Sequence, residues 1–514
     1  MQSSSKKQID RAFFQMRGSL LGDCLQIKQL AKGARADGTE HLSQSRTNGC
    51  QMHVRELRWI EPAVAMRRLG NQPNLTFLDS AARHELGRYS YVTCDPFSSY
   101  TVNNGQASCN GVALAGNPWE ALRSLLARYP QQNRTDLPPF QGGAAGYLGY
   151  DLNRTLERLP APAIAGRALP ECVLHFYDVV ISFDHRDHKC WIVSTGWSAQ
   201  EPAPQLERAR RRADQFAALL DVPTPALKEL PDTLGAWHSN FSLDDYIATI
   251  QRVIGLILAG DVFQANIAQR FTARMPTSFD PISFYCRLRS LNPAPFAALL
   301  RYGELTIASS SPERFLKLGA RNVETRPIKG TIARCNDSAE DQHRAQLLVA
   351  SEKDRAENCM IVDLLRNDLS RVCTPHSVEV AGLCNLESHA SVHHLVSIVT
   401  GELSESQDAV TLLRACFPGG SITGAPKVRS MEIITEIERV ARQVYCGAIG
   451  FIGFNGHMDT NVAIRTVTID GDQAMFHTGG GITAMSDPQA EYAETLAKAQ
   501  RIFEAFGAEI PGPL

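Results

Sequence analysis

At 514 residues the chain is roughly two to three times an average domain, so it has material for a large core and needs no disulfide staples. With 44% hydrophobic residues, 21% charged residues and a formal net charge of −2, the composition excludes collagen-like repeats and wholesale disorder. It also provides no whole-protein field to steer a polyanion and no basic stripe interleaved with aromatics, which excludes nucleic acid and points to a small-molecule substrate.

The first fifty residues are polar and basic, from Ser3-Ser4-Ser5-Lys6-Lys7 to Cys50, without a core-forming pattern. Residues 1–51 are therefore expected to be a dispensable or disordered extension, with a natural start at Met52. From 52 to 231, strand-like runs (Leu75 to Asp79, Tyr89 to Cys94, Val179 to Phe183) alternate with turn signals such as Asn104-Gly105, and Pro202 to Leu220 reads as a helix. The stretch Asp221 to Pro231 reads as a linker, which sets a boundary between an N-terminal region, 52–231, and a catalytic region, 232–514. There Tyr246, Ile250, Val253, Ile254, Ile257 and Leu258 recur at helical spacing between Ser242 and Gly260, and a strand with Phe263, Ala265 and Ile267 follows.

The longest apolar run, Val173 to Phe183, is interrupted by His175 and Asp178 and falls short of the ~18 residues a spanning helix needs, so no membrane is expected. The 13 cysteines show no C-x-x-C pair and read as reduced thiols of a cytoplasmic protein.

Chemistry concentrates in the second half. Ser351 to Leu369 reads as a helix whose Asp354 and Glu357 share a face with Ile361, Leu364 and Leu365, so two acids border a core-facing stripe. Ser486-Asp487-Pro488 reads as a second helix start, with Glu491 and Glu494 at the same spacing and Lys498 one turn on. Two such helices would make a four-carboxylate nest of hard oxygen ligands suited to Mg²⁺. Solvated acids paired with Lys353, Arg355 or Lys498 remain the alternative.

The tract Phe417 to Lys427 (FPGGSITGAPK) and the run Gly479-Gly480-Gly481 offer backbone N–H groups to an anion, or are ordinary turns. Arg465, within a strand-like run from Val462 to Ile469, is either a carboxylate clamp or a structural ion-pair partner. Lys329 in Thr325-Arg326-Pro327-Ile328-Lys329-Gly330-Thr331 becomes a nucleophile if its pKa falls, and is otherwise an inert surface lysine. Glu313 in Ser311-Pro312-Glu313-Arg314-Phe315 is a general acid if its pKa is raised, or half of a surface pair with Arg314.

These motifs in their order, with GDVFQANIAQRF (260–271), KDRAENCMIVDLLRNDL (353–369), HLVS (394–397), YCGAIGFI (445–452) and NVAIRT (461–466), resemble the chorismate-utilising enzymes, the family of anthranilate and aminodeoxychorismate synthase components I. The resemblance spans about residues 55 to 508, and is thinner before residue 232. It implies an α+β fold of two large antiparallel sheets packed orthogonally and surrounded by helices. Lys329 stands where anthranilate synthases typically carry Ala, which implies amination of chorismate to 4-amino-4-deoxychorismate, for para-aminobenzoate and folate biosynthesis, through a covalent lysine adduct. By resemblance Lys329 is the nucleophile and Glu313 the acid, with His394 beside them; whether His393 or His394 faces the site stays open.

The same resemblance places Mg²⁺ on Glu357 and Glu494, with Asp354 and Glu491 supporting, and puts substrate contacts at Gly330, Thr331, Ser421, Tyr445, Arg465, Gly480, Gly481 and Lys498. Ammonia is expected from a separate glutamine amidotransferase subunit, since no G-x-C-x-G context is present. The positions of Ser80, Arg88, Tyr89, Pro295, Phe296 and Ala297 match a tryptophan effector pocket in relatives, with plain core packing as the alternative. Two readings stay beside the main one: anthranilate formation on the same scaffold, and a non-catalytic subunit that binds chorismate or tryptophan. Ile332-Ala333-Arg334 departs from the family's usual continuation after P-I-K-G-T.

Overall fold

The structure is a computed structural model that describes residues 52–510 apart from 83–84, 165, 200, 231–235 and 390–391. The expected extension, 1–51, and the expected boundary at Pro231 lie outside the described residues.

Two sheets, each of twelve strands, carry the architecture, and every strand pairing is antiparallel, as the α+β reading requires. The first runs from His53–Leu57 through Lys189–Ser194, Val179–Asp184, Tyr89–Thr93, Leu75–Asp79, Phe296–Tyr302, Leu305–Ser311, Thr466–Asp470 and Gln473–Ile482 to Gln264–Arg274. The second runs from Ile328–Ala333 through Val392–Glu402, Asn322–Thr325, Arg314–Gly319, Met458–Val462, Ala448–Gly453, Gly143–Leu148 and Cys172–Tyr177 to Ser98–Asn103 and its hairpin partners. Strands from both sides of residue 231 lie within each sheet. The two regions read from the sequence thus share both sheets, each contributing one block of neighbouring strands, joined where Leu75–Asp79 pairs with Phe296–Tyr302 and Gly143–Leu148 with Ala448–Gly453.

Alternation explains the layers. Tyr147, Val173 and Ile449 of the second sheet meet Ala298, Leu300 and Ile307 of the first, and Tyr91 packs edge-on against Phe451, so one face of each sheet is buried against the other. The opposite face of the first sheet is covered by Pro62–Arg68, Pro202–Leu220, Pro281–Leu291 and Pro488–Phe506, and that of the second by Pro118–Leu126, Glu352–Ser370 and Ala409–Cys416.

Local signals act where they were read. Ser242 caps Leu243–Leu258 through its hydroxyl, and Asp487 caps Pro488–Phe506 by accepting from Ala490 N at 2.8 Å. Asn104 and Gly105 both take positive φ in the hairpin they form. The apolar run from Val173 breaks at Asp178, which is buried between two strands and neutralised by Arg212 and Arg208. Phe263 departs from expectation: it precedes its strand and is 72% exposed. Among the described residues no helix is long and apolar enough to cross a membrane.

Candidate active site

The site is built where the chain changes sheets. Leu305–Ser311 belongs to the first sheet and Arg314–Gly319 to the second, so Pro312 and Glu313 form a crossing. A second crossing, from Met458–Val462 back to Thr466–Asp470, lies beside it: Val462 N donates to Glu313 O at 3.0 Å and Ser310 N to Arg465 O at 3.1 Å. This corrects the reading of Val462 to Ile469 as one strand. Arg465 sits in the break at φ 49°, because its neighbours on either side pair in different sheets. The crossings bring an acid and a guanidinium into one electrostatic neighbourhood.

Glu313 is 5% exposed. Burial pushes its pKa up to about 7 against the opposing hydrogen bond from Ser421 Oγ, 2.7 Å away, and the charges of Lys329 and Arg465. Ser421 is delivered by the short turn Gly420–Ile422, inside the glycine tract read from the sequence. Lys329 lies on Ile328–Ala333, and burial lowers its pKa while Lys498 adds to that and Glu357, Glu313 and Glu494 oppose it. A Cβ added at Gly481 would stand 3.2 Å from Lys329 Nζ, so the absent side chain leaves room for the amine. Gly330 has φ 84° and lies where a Cβ would meet Asp354 at 3.0 Å; the strand and the helix Glu352–Ser370 approach closely there because the residue is glycine.

Both histidines are buried, and strand alternation separates them. His394 Nδ1 shares a 2.8 Å hydrogen bond with Thr331, whereas His393 bonds Ser388 and Asp341 on the other face. His394 therefore faces the site. Burial, with Arg465 adding to it, holds its pKa down to about 3, so its ring is neutral at any working pH.

The acids gather from two helices. Glu491, 4% exposed, accepts from Ser486 Oγ at 2.6 Å and pairs with Lys353 at 3.5 Å; Glu494 pairs with Lys498 at 2.7 Å. Burial raises the Glu357 carboxyl, with Lys329 and Lys353 pulling it back. Burial also pushes Glu494 upward, but Lys498, Lys353 and Lys329 outweigh it and hold this carboxyl low. Among the described residues no three acids, histidines or cysteines form a closed metal set. The lysine pairing read as an alternative is present: Lys498–Glu494 lies within one helix, while Lys353–Glu491 joins the two. A Cβ at Gly480 would lie 2.9 Å from Glu491 Oε2, 3.8 Å from Glu494 Oε1 and 4.0 Å from Lys498 Nζ, so that glycine holds open a gap between the two carboxylates and the lysine. Lys498 also donates to Gly479 O at 2.8 Å. Tyr445 is buried and stacks on His477 at 5.0 Å.

Gln264 was not singled out from the sequence. It is buried against Gly481, and its Oε1 has no hydrogen-bond partner among the described residues. Its only sequence signal is its place at the start of a strand after Gly260. The positions matched to an effector pocket, Ser80, Arg88, Tyr89, Pro295, Phe296 and Ala297, all line a different cavity of about 1040 Å³, walled by both sheets, with neither Lys329 nor Glu313 in its lining.

A sequence profile of the chorismate binding enzymes matches residues 74–504. The chain is 40% identical over 433 residues to "Aminodeoxychorismate synthase component 1" of Salmonella typhimurium, covering 82% of this chain and 90% of the relative. It is 36% identical over 473 residues to "Anthranilate synthase component 1" of Mycobacterium tuberculosis, covering 87% and 90%. Among solved structures, anthranilate synthase component I from Streptococcus pneumoniae superposes with a TM-score of 0.72 at 30% identity, covering 80% of this chain and 91% of that one. A profile match across most of the chain, joined to these relatives and to the two-sheet fold, means that the chain belongs to the family of chorismate binding enzymes.

Proposed function

We propose that the protein aminates chorismate to 4-amino-4-deoxychorismate, as component I of an aminodeoxychorismate synthase. The observation that carries this reading is Lys329, desolvated beside Gly481 and within the electrostatic reach of a buried Glu313 whose pKa is about 7. Burial favours the neutral forms of both groups, and an uncharged amine beside a protonated carboxyl is the state that nucleophilic attack with acid assistance requires. Lys329 Nζ attacks C2 of chorismate while the C4–O bond breaks, and Glu313 gives its proton to the departing hydroxyl. Ammonia then attacks C4 and the bond to the lysine breaks; each displacement shifts both double bonds of the ring diene, and the second returns them to their places.

Chorismate is a dianion, and the site is charged accordingly. Arg465, Tyr445 and the Gly480-Gly481 backbone suit the pyruvyl carboxylate; Gly330, Thr331, His394 and Ser421 border the ring, and Lys498 lies at the rim. The gap at Gly480 is bordered by Glu491 Oε2 and Glu494 Oε1, with Lys498 Nζ at its edge, and these hard carboxylate oxygens are the ligand type Mg²⁺ takes. Glu357 and Glu494 would hold it, with Asp354 and Glu491 behind them; bound there it supplies positive charge for the ring carboxylate. Ammonia is supplied by a separate glutamine amidotransferase subunit.

The anthranilate reading is supported by relatives of that name at 36% identity. Mass spectrometry of the intact protein, quenched after mixing with chorismate and Mg²⁺ without ammonia, separates the two. The expected result is an adduct of chorismate less one water, absent in Lys329→Ala. Anthranilate and pyruvate in the presence of ammonia, with no adduct, would replace this reading with the other. Chorismate binding without any turnover would reduce the protein to a binding subunit.

A further inference from the structure

Cys359 and Cys384 belong to different elements, the helix Glu352–Ser370 and the edge strand Glu379–Ser388, yet the Cys384 thiol reaches that helix one turn before Cys359, its Sγ 4.0 Å from Arg355 O. Cys359 is exposed and Cys384 is buried. The approach is built in. The strand is irregular between Gly382 and Asn385, and Cys384 takes φ 51°, which turns it toward the helix. Its backbone N–H donates to Ser397 Oγ at 2.9 Å, and Ser397 Oγ donates to Asn358 Oδ1 at 2.5 Å. Asn358 Nδ2 in turn donates to Leu395 O at 3.2 Å. Hydrogen bonds thus tie Cys384 to the helix, through Ser397 and the Asn358 that precedes Cys359, before any oxidation.

We propose that Cys359 and Cys384 are a redox modification site, a dithiol that a peroxide converts to a disulfide joining the edge strand to the helix that carries Asp354 and Glu357. The exposed thiol meets the oxidant first. Cys359 sulfur attacks one peroxide oxygen, the O–O bond breaks, and a sulfenic acid and one water form; Cys384 sulfur then attacks the sulfenic sulfur and a second water leaves. Two thiols lose two electrons and two protons, and one peroxide becomes two waters. The crosslink, with its S–S bond of about 2.05 Å, fastens the helix to the strand. Formation of the bond is independent of the reaction assigned above; its effect on cation dependence rests on that reading.

The test is intact and peptide mass spectrometry of the full chain, reduced and then treated with hydrogen peroxide, beside Cys359→Ser. Loss of two hydrogens mapped to a Cys359–Cys384 peptide, reversed by a thiol reductant and absent in the variant, is the expected result. Independent alkylation of both thiols after peroxide treatment, or a crosslink mapping elsewhere, overturns the site. In turnover assays the oxidised protein should need about tenfold more Mg²⁺ for half-maximal rate, while Cys359→Ser keeps the basal rate and ignores peroxide. A crosslink that leaves the Mg²⁺ dependence unmoved overturns the regulatory consequence and leaves the chemistry standing. A protein inactive in every assay but still crosslinked would instead refute the assigned reaction.

Discussion

Two regions of the molecule, the cavity at Ser80 and Phe296 and the site at Lys329 and Glu313, are built on opposite electrostatic rules. Around Ser80 and Phe296 the arginines already have their partners: Arg88 pairs with Asp184 and Asp187, and Arg314 pairs with Asp459 at 3.0 Å and Glu324 at 2.8 Å. Burial there is neutralised pair by pair, which fixes protonation states and gives a stable, inert wall. Around Lys329 and Glu313 burial is left under-compensated, so the amine is shifted down and the acid up toward neutrality. A cavity that only binds can satisfy its own groups; one that moves protons must leave some unsatisfied.

The contrast predicts where substitutions act, and Lys329→Ala has the largest expected effect. It removes the nucleophile and should lower the rate of aminodeoxychorismate formation at least ~10³-fold, measured in a coupled assay with ammonia. Glu313→Gln should cost about 10²–10⁴-fold at pH 6 to 7, since no proton can be delivered to the leaving hydroxyl. The same change should stabilise the fold at high pH. The acid's folded pKa of about 7 lies above its unfolded value, so the folded state holds the extra proton between the two, and wild-type stability falls as pH rises from about 4.5 through 7. Glu313→Gln escapes that loss, and at pH 8 its unfolding free energy should exceed the wild type's by roughly 3 kcal/mol in denaturant titrations. Equal stability at pH 8 would mean that the carboxyl is not held near neutrality.

Gly480→Ala tests the gap between the two carboxylates and the lysine. Its methyl would stand 2.9 Å from Glu491 Oε2, and the Mg²⁺ concentration for half-maximal rate should rise about 10–100-fold while chorismate binding at saturating Mg²⁺ holds. Ser421→Ala is subtler. The wild-type rate should decline as pH rises through about 7, where Glu313 loses its proton; without the Ser421 hydrogen bond to the charged carboxylate, that limb should move to higher pH. Ser80→Ala makes the smallest change. It removes the hydroxyl that donates to Tyr89 O and Pro295 O, should cost about 1 kcal/mol of stability, and should leave the pH limb where it was. A pH limb that moved with Ser80 would break the distinction between the two regions.

Much of the site was legible because it is written in short ordered motifs on elements that announce themselves. The helix with Asp354 and Glu357 begins at its Ser351 cap, the helix with Glu491 and Glu494 at its Asp487 cap, and the glycines at 330, 480 and 481 stand where backbones must approach closely. Arg465 was read into a continuous strand because β-branched residues flank it on both sides, from Val462 and Ile464 to Thr466, Val467, Thr468 and Ile469, and such a run contains no mark of a change of sheet. The choice between His393 and His394 was equally hidden, since adjacent strand residues point to opposite faces and only a partner tells which face is the site.

The sequence by itself determined most elements, their caps, the family and which residues are proposed to react, because these depend on local propensity and on residues at fixed spacing. Tertiary structure decided that the two regions share both sheets, and that the crossings at Glu313 and Arg465 lie side by side. It also decided that the Ser80 and Phe296 motifs line a cavity apart from Lys329 and Glu313. Those outcomes arise from pairings between strands far apart in the chain, and burial follows from them. Burial, in turn, makes Glu313 an acid near neutrality and Lys329 an amine able to shed its proton, so the chemical state of each residue is a property of the fold.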